Sequence, residues 1–279
     1  MKEKIKPAGG QAVIEGVMMM RGNKVNTSVR KKNKIISKRR RIKNKSKASK
    51  LFFIRGIVNL FTMLKIGIES LIWSAEQQTE ENEKISKAEV MFSMLMAIFF
   101  AILLFVALPL YLTKLIYSQD GILFDVIDGI IRILVFLLYV YLISRMKDIK
   151  RVFQYHGAEH KTVHCYESGK KLTVENVKKF STHHPRCGTS FLIIVLIISI
   201  FVFSFITSPR WYYKLGFRII LLPVIVGLSY EILKLADLFK ENWFFSMINK
   251  PGLWIQRITT KEPTKKQIEV AIDSLKKVL

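Results

Sequence analysis

Residues 155–188 read YHGAEHKTVHCYESGKKLTVENVKKFSTHHPRCG and lie between two long apolar runs of the chain. They include every histidine and every cysteine of the protein, namely His156, His160, His164, His183, His184, Cys165 and Cys187. Imidazole and thiolate are the ligands that zinc and its neighbours among the transition metals prefer. We therefore predict a divalent metal site, with Zn²⁺ as the expected ion, in a polar segment where it meets a membrane.

The segment opens with the motif H-x-x-E-H, formed by His156, Glu159 and His160. On a helix the two histidines stand one turn apart on the same face, so they can chelate one ion. Glu159 lies beside them as a general base or as a hydrogen-bond partner of a ligand. The motif thus suggests hydrolysis and leaves the third ligand unspecified.

Two ligand sets compete for the rest of the coordination shell. The first adds Cys187, with His184 as a further member, to His156 and His160, and makes a closed structural zinc site. The second adds one carboxylate instead and leaves a position open for water. The candidate carboxylates are Glu15, Glu167 and Glu231, and His164 and Cys165 are spare candidate ligands. The alternative without a metal is a cluster of histidines and basic residues that meets anionic headgroups.

The composition indicates a membrane protein. Half of the residues are hydrophobic, yet the formal net charge is +24. Apolar and basic residues occupy separate parts of the chain, as in membrane proteins with basic flanks. The two cysteines offer no disulfide framework, which suggests a reducing compartment or a metal. The first 50 residues contain no apolar core of the length that a cleavable secretory signal needs.

Four apolar runs approach the ~20 residues needed to cross hydrocarbon, and they must be helical because backbone groups in lipid have to be satisfied internally. They lie at about 91–115, 122–144, 191–206 and 217–235. Short connections pair them into two transmembrane hairpins, 91–144 and 191–236. The predicted fold class is a mainly α, polytopic membrane protein with four transmembrane helices, further cytoplasmic and interfacial helices, and a small N-terminal β-hairpin.

The distribution of basic residues predicts the orientation of the chain. Residues 1–55 contain eighteen Lys or Arg against two acids, residues 145–190 ten against four, and residues 237–279 eight against five. Basic loops stay in the cytoplasm, and an even number of spans puts all three segments on one side. We expect a multi-pass plasma-membrane protein with both termini, the site segment 145–190 and the C-terminal helices 237–279 in the cytoplasm.

The run 51–75 is helical in pattern but is interrupted by Arg55, Asn59, Lys65 and Glu69. These interruptions favour an amphipathic helix that lies in the membrane interface, with a short re-entrant segment as the alternative. A full crossing of this run would place the most basic part of the chain outside the cell, against the usual charge rule.

Residues 1–50 form a basic segment with a small β element. Residues 24–30 alternate in polarity, and a turn at 31–34 followed by an apolar pair predicts a β-hairpin. Residues 30–50 contain twelve Lys or Arg and no acid. Such a run fits anionic headgroups of the bilayer, or a ribosome or Sec translocon, and we expect no DNA partner. The alternative is a solvated segment that marks the cytoplasmic side, favoured because no aromatic residues are interleaved.

Charged residues inside the predicted spans are expected to pair. Asp128 and Arg132 stand one helical turn apart, and Glu231 and Lys234 stand three residues apart. Charge within a membrane is costly and by default marks a functional site. Glu15 is set among apolar neighbours, so it needs a metal or a base as partner if it is buried. The alternative for Glu15 is a strand end that faces water.

The C-terminal tail predicts a helix that begins with a capping box, with Thr264 as N-cap and Gln267 three residues later. One face of this helix is apolar and should dock on the cytoplasmic part of the protein itself. That face consists of Ile268, Ala271, Ile272, Leu275 and Leu279.

Seven motifs carry a resemblance: GGQAVIEGVMM (9–19), RGIVNL (55–60), YHGAEHKTVHCYE (155–167), LTVENV (172–177), HPRCGTSFL (184–192), SYEILKLA (229–236) and TTKEP (259–263). In these motifs, over nearly its whole length, the chain resembles the bacterial YqhQ-like family, domain of unknown function 1385. The resemblance implies a multi-span membrane protein and a metal-dependent enzyme. It also implies that the hallmark motifs include Glu15, His156, Glu159, His160, His184, Arg186 and Cys187. The chain departs from the family in its Lys-Lys-Asn-Lys turn at 31–34 and its heavier basic run.

The leading hypothesis is a metal-dependent hydrolase that acts on a membrane-associated substrate. His156 and His160 are its ligands, Cys187 or His184 completes the shell, and Glu159 or Glu15 is the base. The second hypothesis is a non-enzymatic factor in membrane-protein biogenesis that binds ribosome or translocon through its basic surface. The third is an anionic-lipid-binding scaffold or a transporter-like bundle.

Overall fold

The structure, a computed structural model, describes residues 7–42, 51–79, 86–119, 121–206, 211–239 and 242–279. The chain begins with an antiparallel sheet in the order β1-β2-β3-β4. Its strands are β1 (Gly9–Val13), β2 (Gly16–Arg21), β3 (Lys24–Lys31) and β4 (Lys34–Arg41). The predicted hairpin is confirmed as β3 and β4, joined at the predicted turn, and two further strands precede it. The predicted basic run extends to residue 50, and its part at 43–50 lies outside the described residues.

Both faces of the sheet are covered at its central strand β2. Val17 and Met19 of β2 point into one apolar cluster, and Met18 of the same strand points into the other. Successive side chains of a strand point to opposite faces, so the uninterrupted apolar run of β2 indicates a strand covered on both sides. The first face packs on helices of the site, and the second packs on the first helix of the chain, through residues such as Ile66.

Eleven helices follow within the described residues. The first five are α1 (Ile54–Glu76), α2 (Lys87–Ile102), α3 (Leu108–Ile116), α4 (Ile122–Ile143) and α5 (Lys147–Glu167). The others are α6 (Val174–Lys178), α7 (Gly188–Phe203), α8 (Trp211–Ile220), α9 (Leu222–Leu238), α10 (Trp243–Thr259) and α11 (Lys265–Lys276). A short π-helical segment, Leu103–Ala107, joins α2 to α3. The stretch predicted as a polar site segment at 145–190 is therefore largely helical.

Three helical stretches in the described part of the chain are long and apolar enough to cross a membrane: Ile54–Glu76, Ala88–Ile116 and Ile122–Ile143. A fourth exists if α8 and α9, which are bent by 46°, form one span. The predicted spans 91–115 and 122–144 coincide with two of these helices. The predicted span 191–206 corresponds to α7, whose 16 residues reach only about 24 Å, short of ~30 Å of hydrocarbon. The predicted set of four transmembrane helices is not confirmed.

The predicted fourth span, 217–235, is broken rather than continuous. The break lies at Leu221, between α8 and α9, and Pro223 occupies the first turn of α9. A proline in that position has no N–H to donate to the preceding turn. A new helix, α9, therefore begins there with a different axis direction.

Helix α1 joins the sheet to the apolar helices. Near its start, the Arg55 guanidinium forms an ion pair with Glu231 of α9, which also accepts the Phe53 N–H at 3.2 Å. Near its end, Glu69 pairs with Arg40 of β4. Lys234 was the predicted partner of Glu231, whereas the ion pair that the structure shows joins Glu231 to Arg55, a guanidinium from a distant helix.

A buried ion network lies among the apolar helices. Arg132 donates to Asp128 at 2.6 Å, which confirms the predicted pair within α4. Arg218 of α8 donates to the other carboxylate oxygen of Asp128 at 3.0 Å. The sequence did not predict the role of Arg218, whose ion pair with Asp128 links α8 to α4.

Helix α11 closes the domain against the sheet. Its predicted capping box between Thr264 and Gln267 is present. The side chains of Ile268, Ala271 and Leu275 are fully buried in the cluster that also contains Val17 of β2 and Tyr155 of α5. The predicted docking of this face on the protein itself is confirmed, except that Leu279 stays exposed.

Candidate metal centre

Helix α5 carries the H-x-x-E-H motif and is fixed along its opposite face. Tyr155, Ala158 and Cys165 are buried against the sheet and α11. A neighbouring face of the helix therefore points away from that core. His156 and His160 lie on this face, with their ring centroids 4.4 Å apart.

Cys187 brings a sulfur to the same place from the N-terminus of α7. Its Sγ lies 3.2 Å from Nε2 of His156 and accepts hydrogen bonds from the hydroxyl and the N–H of Thr189, at 3.2 and 3.5 Å. One ligand atom from each of His156, His160 and Cys187 lies within 4.8 Å of the other two. Donors at a helix N-terminus favour negative charge, so this position suits a thiolate.

Backbone carbonyls fix the orientation of both imidazoles. Nδ1–H of His156 donates to the carbonyl of Thr259 at 2.9 Å, and Nδ1–H of His160 donates to the carbonyl of Thr182. A carbonyl only accepts, so each ring carries its proton on Nδ1 and leaves Nε2 with a free lone pair. Metal-bound histidines are held in this way in known sites. The donor set and its tautomers therefore fit a metal ion.

The size of the cluster can be compared with a zinc site. Bonds of about 2.1 Å to nitrogen and 2.3 Å to sulfur at tetrahedral angles place the ligand atoms about 3.3 to 3.6 Å apart. The widest separation here is at most 4.8 Å. Contraction by about an ångström, within the reach of side-chain rotation, would complete a two-nitrogen, one-sulfur shell with one position left over.

Gly157 explains how the chain reaches His156 from the far end of the sequence. A Cβ at this position would lie 2.1 Å from the carbonyl oxygen of Lys261, closer than atoms can approach. The N–H of Lys261 donates to the carbonyl of Phe153 at 2.9 Å, which fixes the 259–261 segment against α5. Only a glycine permits this approach, which places the Thr259 carbonyl at the imidazole.

Burial sets the protonation states around the cluster. It lowers the pKa of His160 to about 2, and the neighbouring His156 acts in the same direction. It raises the pKa of Glu159 to about 7, although His156 acts in the opposite direction. It also raises the pKa of the Cys187 thiol, against the hydrogen bonds from Thr189. His160 is thus neutral near pH 7, the form that binds a metal, and a bound cation would favour the thiolate.

His184 lies next to the cluster but is turned away from it. Its Nδ1 accepts the N–H of Arg186 at 3.2 Å, and its Nε2 lies 3.5 Å from the Glu167 carboxylate. Its ring centroid is 5.7 Å from that of His160. With both nitrogens engaged, His184 is not among the residues that the structure brings together, and Gln256 holds its backbone instead.

The three candidate carboxylates of the second ligand set each have another partner. Glu15 pairs with Arg151, Glu167 with Arg186 and Glu231 with Arg55. Of the spare candidates, His164 donates to the carbonyl of His183 at 2.8 Å, and Cys165 is buried beside the carbonyls of Lys170 and Lys171. Within the described residues, His156, His160 and Cys187 form the one group that could hold a metal.

Sequence reasoning missed the residues that orient the ligands. Thr182 and Thr259 act through their carbonyls, which leave no mark in side-chain patterns. Thr189 supports the sulfur, and Glu262 pairs with the buried Lys161 of α5. The only available signals were the TTKEP motif at 259–263 and the glycine inside H-x-x-E-H.

Comparison with known proteins agrees with the resemblance seen in the motifs. The model of a family described as "Protein of unknown function (DUF1385)" matches residues 51–279. The chain is 35% identical over 301 aligned positions to "Uncharacterized protein YqhQ" of Bacillus subtilis (strain 168), covering 100% of this chain and 94% of that protein. No solved structure matches the chain at a significant level. The protein therefore belongs to the DUF1385, or YqhQ-like, family.

Proposed function

We propose that this protein is a metal-dependent hydrolase of the membrane, with a zinc ion held by His156, His160 and Cys187. One observation carries the proposal: both imidazoles donate Nδ1–H to backbone carbonyls, and a ligand atom of each lies within 4.8 Å of the Cys187 sulfur. A histidine that serves only as core packing needs no such pair of fixed tautomers. Three ligands leave one tetrahedral position open, as in catalytic zinc sites.

In the proposed reaction, the residues around the cluster have different roles. When bound, zinc would supply a Lewis acid and an activated water at neutral pH. Glu159 is buried and lies one position before a ligand, so it is the group we assign as general base. Glu15 is the weaker candidate, because Arg151 and Tyr155 already occupy its carboxylate. Thr189 holds the sulfur, and the carbonyls of Thr182 and Thr259 keep the rings from rotating.

The surroundings favour a substrate at the membrane surface. Cys187 caps α7, an apolar helix, so the cluster lies where polar and apolar parts of the protein meet. The positive charge of residues 145–190 and of the N-terminal segment supports a position on the cytoplasmic face of the plasma membrane. We therefore assign the enzyme a membrane-associated substrate that reaches the cluster from the lipid side.

Elemental analysis of the purified protein tests the metal. We expect about one zinc ion per chain in the wild type, and a loss of most of it in His160→Ala and Cys187→Ser, because three ligands bind far more tightly than two. The matched control is His183→Ala, which removes a histidine outside the cluster. Equal metal in wild type and His160→Ala would refute the site.

Cobalt substitution then separates a catalytic site from a structural one. In the Co²⁺ protein, a hydroxamate that occupies an open position should change the visible spectrum, since it alters the coordination number. The same change is expected in Glu159→Gln, which keeps all three ligands. A spectrum that no added ligand alters would indicate a closed structural shell and would end the hydrolase proposal while leaving the metal site intact.

A further inference from the structure

A polar cavity lies on the other face of the sheet from the metal centre, between β4 and the second half of α1. Its volume is about 280 Å³, and its walls include Lys38 and Arg40 of β4 together with Glu69, Trp73 and Glu76 of α1. Lys38 and Arg40 are two apart on a strand, and Glu69 and Glu76 are two turns apart on a helix. Each pair therefore projects from one face, so a basic wall stands opposite an acidic one.

Two of the four charges are already neutralised inside the cavity, and two are not. Arg40 and Glu69 form an ion pair with each other. Lys38 has its ammonium 6.0 Å from the Trp73 ring. Within the part of the chain that the structure describes, neither Lys38 nor Glu76 has an ion-pair partner. Among the described lining residues, the cavity thus offers one cation and one anion without an ion-pair partner.

An apolar groove adjoins the polar cavity. Its volume is about 420 Å³, and it shares Ile72 and Glu76 with the cavity. The far wall is one face of α2, formed by Val90, Met91, Met94, Leu95 and Ile98. From Val90 to Ile98 this face extends about 12 Å at 1.5 Å per residue.

The polar cavity and the apolar groove meet at the level where the apolar part of α2 begins. Helix α2 begins after the Ser86 cap, with Glu89 in its first turn, and is apolar from Val90 onward except for Ser93. Trp73, an aromatic side chain typical of the membrane interface, lines the polar side of the junction. A ligand that fills both spaces must be polar at one end and apolar at the other.

We propose that the cavity and the groove together bind one membrane phospholipid with a phosphoethanolamine headgroup. Lys38 receives the phosphate, Glu76 receives the primary ammonium, and an acyl chain follows the α2 face. A purely anionic headgroup would leave Glu76 facing negative charge without compensation. A choline headgroup has no N–H to donate to the carboxylate, whereas a primary ammonium has three.

Lipid retention measured by native mass spectrometry tests the assignment. The full-length protein is reconstituted in phosphatidylcholine vesicles that contain equal minor fractions of phosphatidylethanolamine and phosphatidylglycerol, and is then extracted in a mild detergent. The wild type should retain phosphatidylethanolamine in preference to the other two lipids. Lys38→Gln and Glu76→Gln should each lower that retention about tenfold, the loss expected when one charge-assisted hydrogen bond of about 1.4 kcal/mol is removed.

Matched variants control for charge alone. Lys34→Gln lies on the same strand and Glu175→Gln on α6, both exposed and outside the cavity, so both should retain lipid like the wild type. For the groove, Met94→Trp should fill the space and expel the acyl chain, while Phe99→Trp on an exposed part of the same helix should not.

The retention measurements test the lipid site independently of the metal site. Equal retention of phosphatidylglycerol and phosphatidylethanolamine by the wild type would overturn it, as would unchanged retention in Lys38→Gln and Glu76→Gln. His160→Ala should retain lipid normally, so the lipid site and the metal site can fail separately. Unfolding temperature and metal content equal to those of the wild type show that each lipid variant is folded.

Discussion

At the residue scale, what surrounds each imidazole separates the five histidines. His156 and His160 have Nδ1 held by carbonyls, and Nε2 of His156 contacts the Cys187 sulfur. His184 instead has both nitrogens engaged by Arg186 and Glu167, and His164 uses Nε2 for a backbone contact. One face of α5 offers three similar rings. The carbonyls at Thr182 and Thr259 select two of them as candidate ligands.

The glycine of the motif gives a prediction at this scale. Gly157→Ala should destabilise the protein by about 1–3 kcal/mol, because the added methyl group overlaps the Lys261 carbonyl and forces backbone to move. Zinc content should fall with it, since the Thr259 carbonyl then leaves His156. Thermal unfolding and elemental analysis measure the two effects. Gly216→Ala, where a Cβ meets nothing within 4 Å, is the control, and an equal response of the two variants would contradict the explanation.

At the scale of elements, the ion network around Asp128 explains how apolar helices acquire a defined arrangement. Apolar contacts alone distinguish poorly between different rotations of α4, α7 and α8 about their own axes. Arg132 of α4 and Arg218 of α8 both reach the same carboxylate, and Arg132 also donates to Ser199 of α7 at 3.3 Å. The network thus gives these three helices a single register, because a buried charge without its partner is costly.

Removal of the shared carboxylate tests that role. Asp128→Asn should lower the free energy of unfolding by about 3–5 kcal/mol, since the buried Arg132 loses its counter-ion and Arg218 keeps only the longer contact to Asp125 at 3.8 Å. Thermal unfolding in detergent gives the measurement. Asp148→Asn, an exposed position in the first turn of α5, should change it little. A loss no larger than that of the control would mean that the network contributes nothing to helix docking.

At the scale of the whole molecule, contacts between the two ends of the chain constrain the membrane topology. Arg21 of β2 and Lys24 of β3 both donate to the carbonyl of Leu279, each at 3.2 Å. The N-terminal sheet and the C-terminal helix α11 therefore lie on the same side. If the chain spans a bilayer, we expect an even number of crossings, which is three plus the bent pair α8 and α9 or fewer than three.

Reporter fusions test this topology. A cytoplasm-active and an export-active reporter, fused in turn to the N-terminus and to the C-terminus, should report the same side, and the basic flanks predict the cytoplasm. A third fusion after residue 119, in the connection between α3 and α4, should report the opposite side. Opposite results from the two termini would be incompatible with the contacts at Leu279.

The sequence alone determined what depends on neighbours along the chain. Apolar runs predicted the helices Ala88–Ile116 and Ile122–Ile143, alternation predicted β3 and β4, and the spacing of His156 and His160 predicted a pair on one face. These features follow from the period of a strand or a helix, which is readable within a few residues. The family was likewise readable from the motifs.

Only the tertiary structure decided between partners that are distant in sequence. Cys187, rather than a carboxylate, joins the two histidines; Glu231 meets Arg55, 176 positions away; and the Thr259 carbonyl reaches His156 across 103 positions. By residue type alone, several carboxylates and several cations could have been the partner in each of these contacts. Which one does so depends on how the sheet, α1, α5 and α10 pack, and packing sums many weak contacts that no local pattern records.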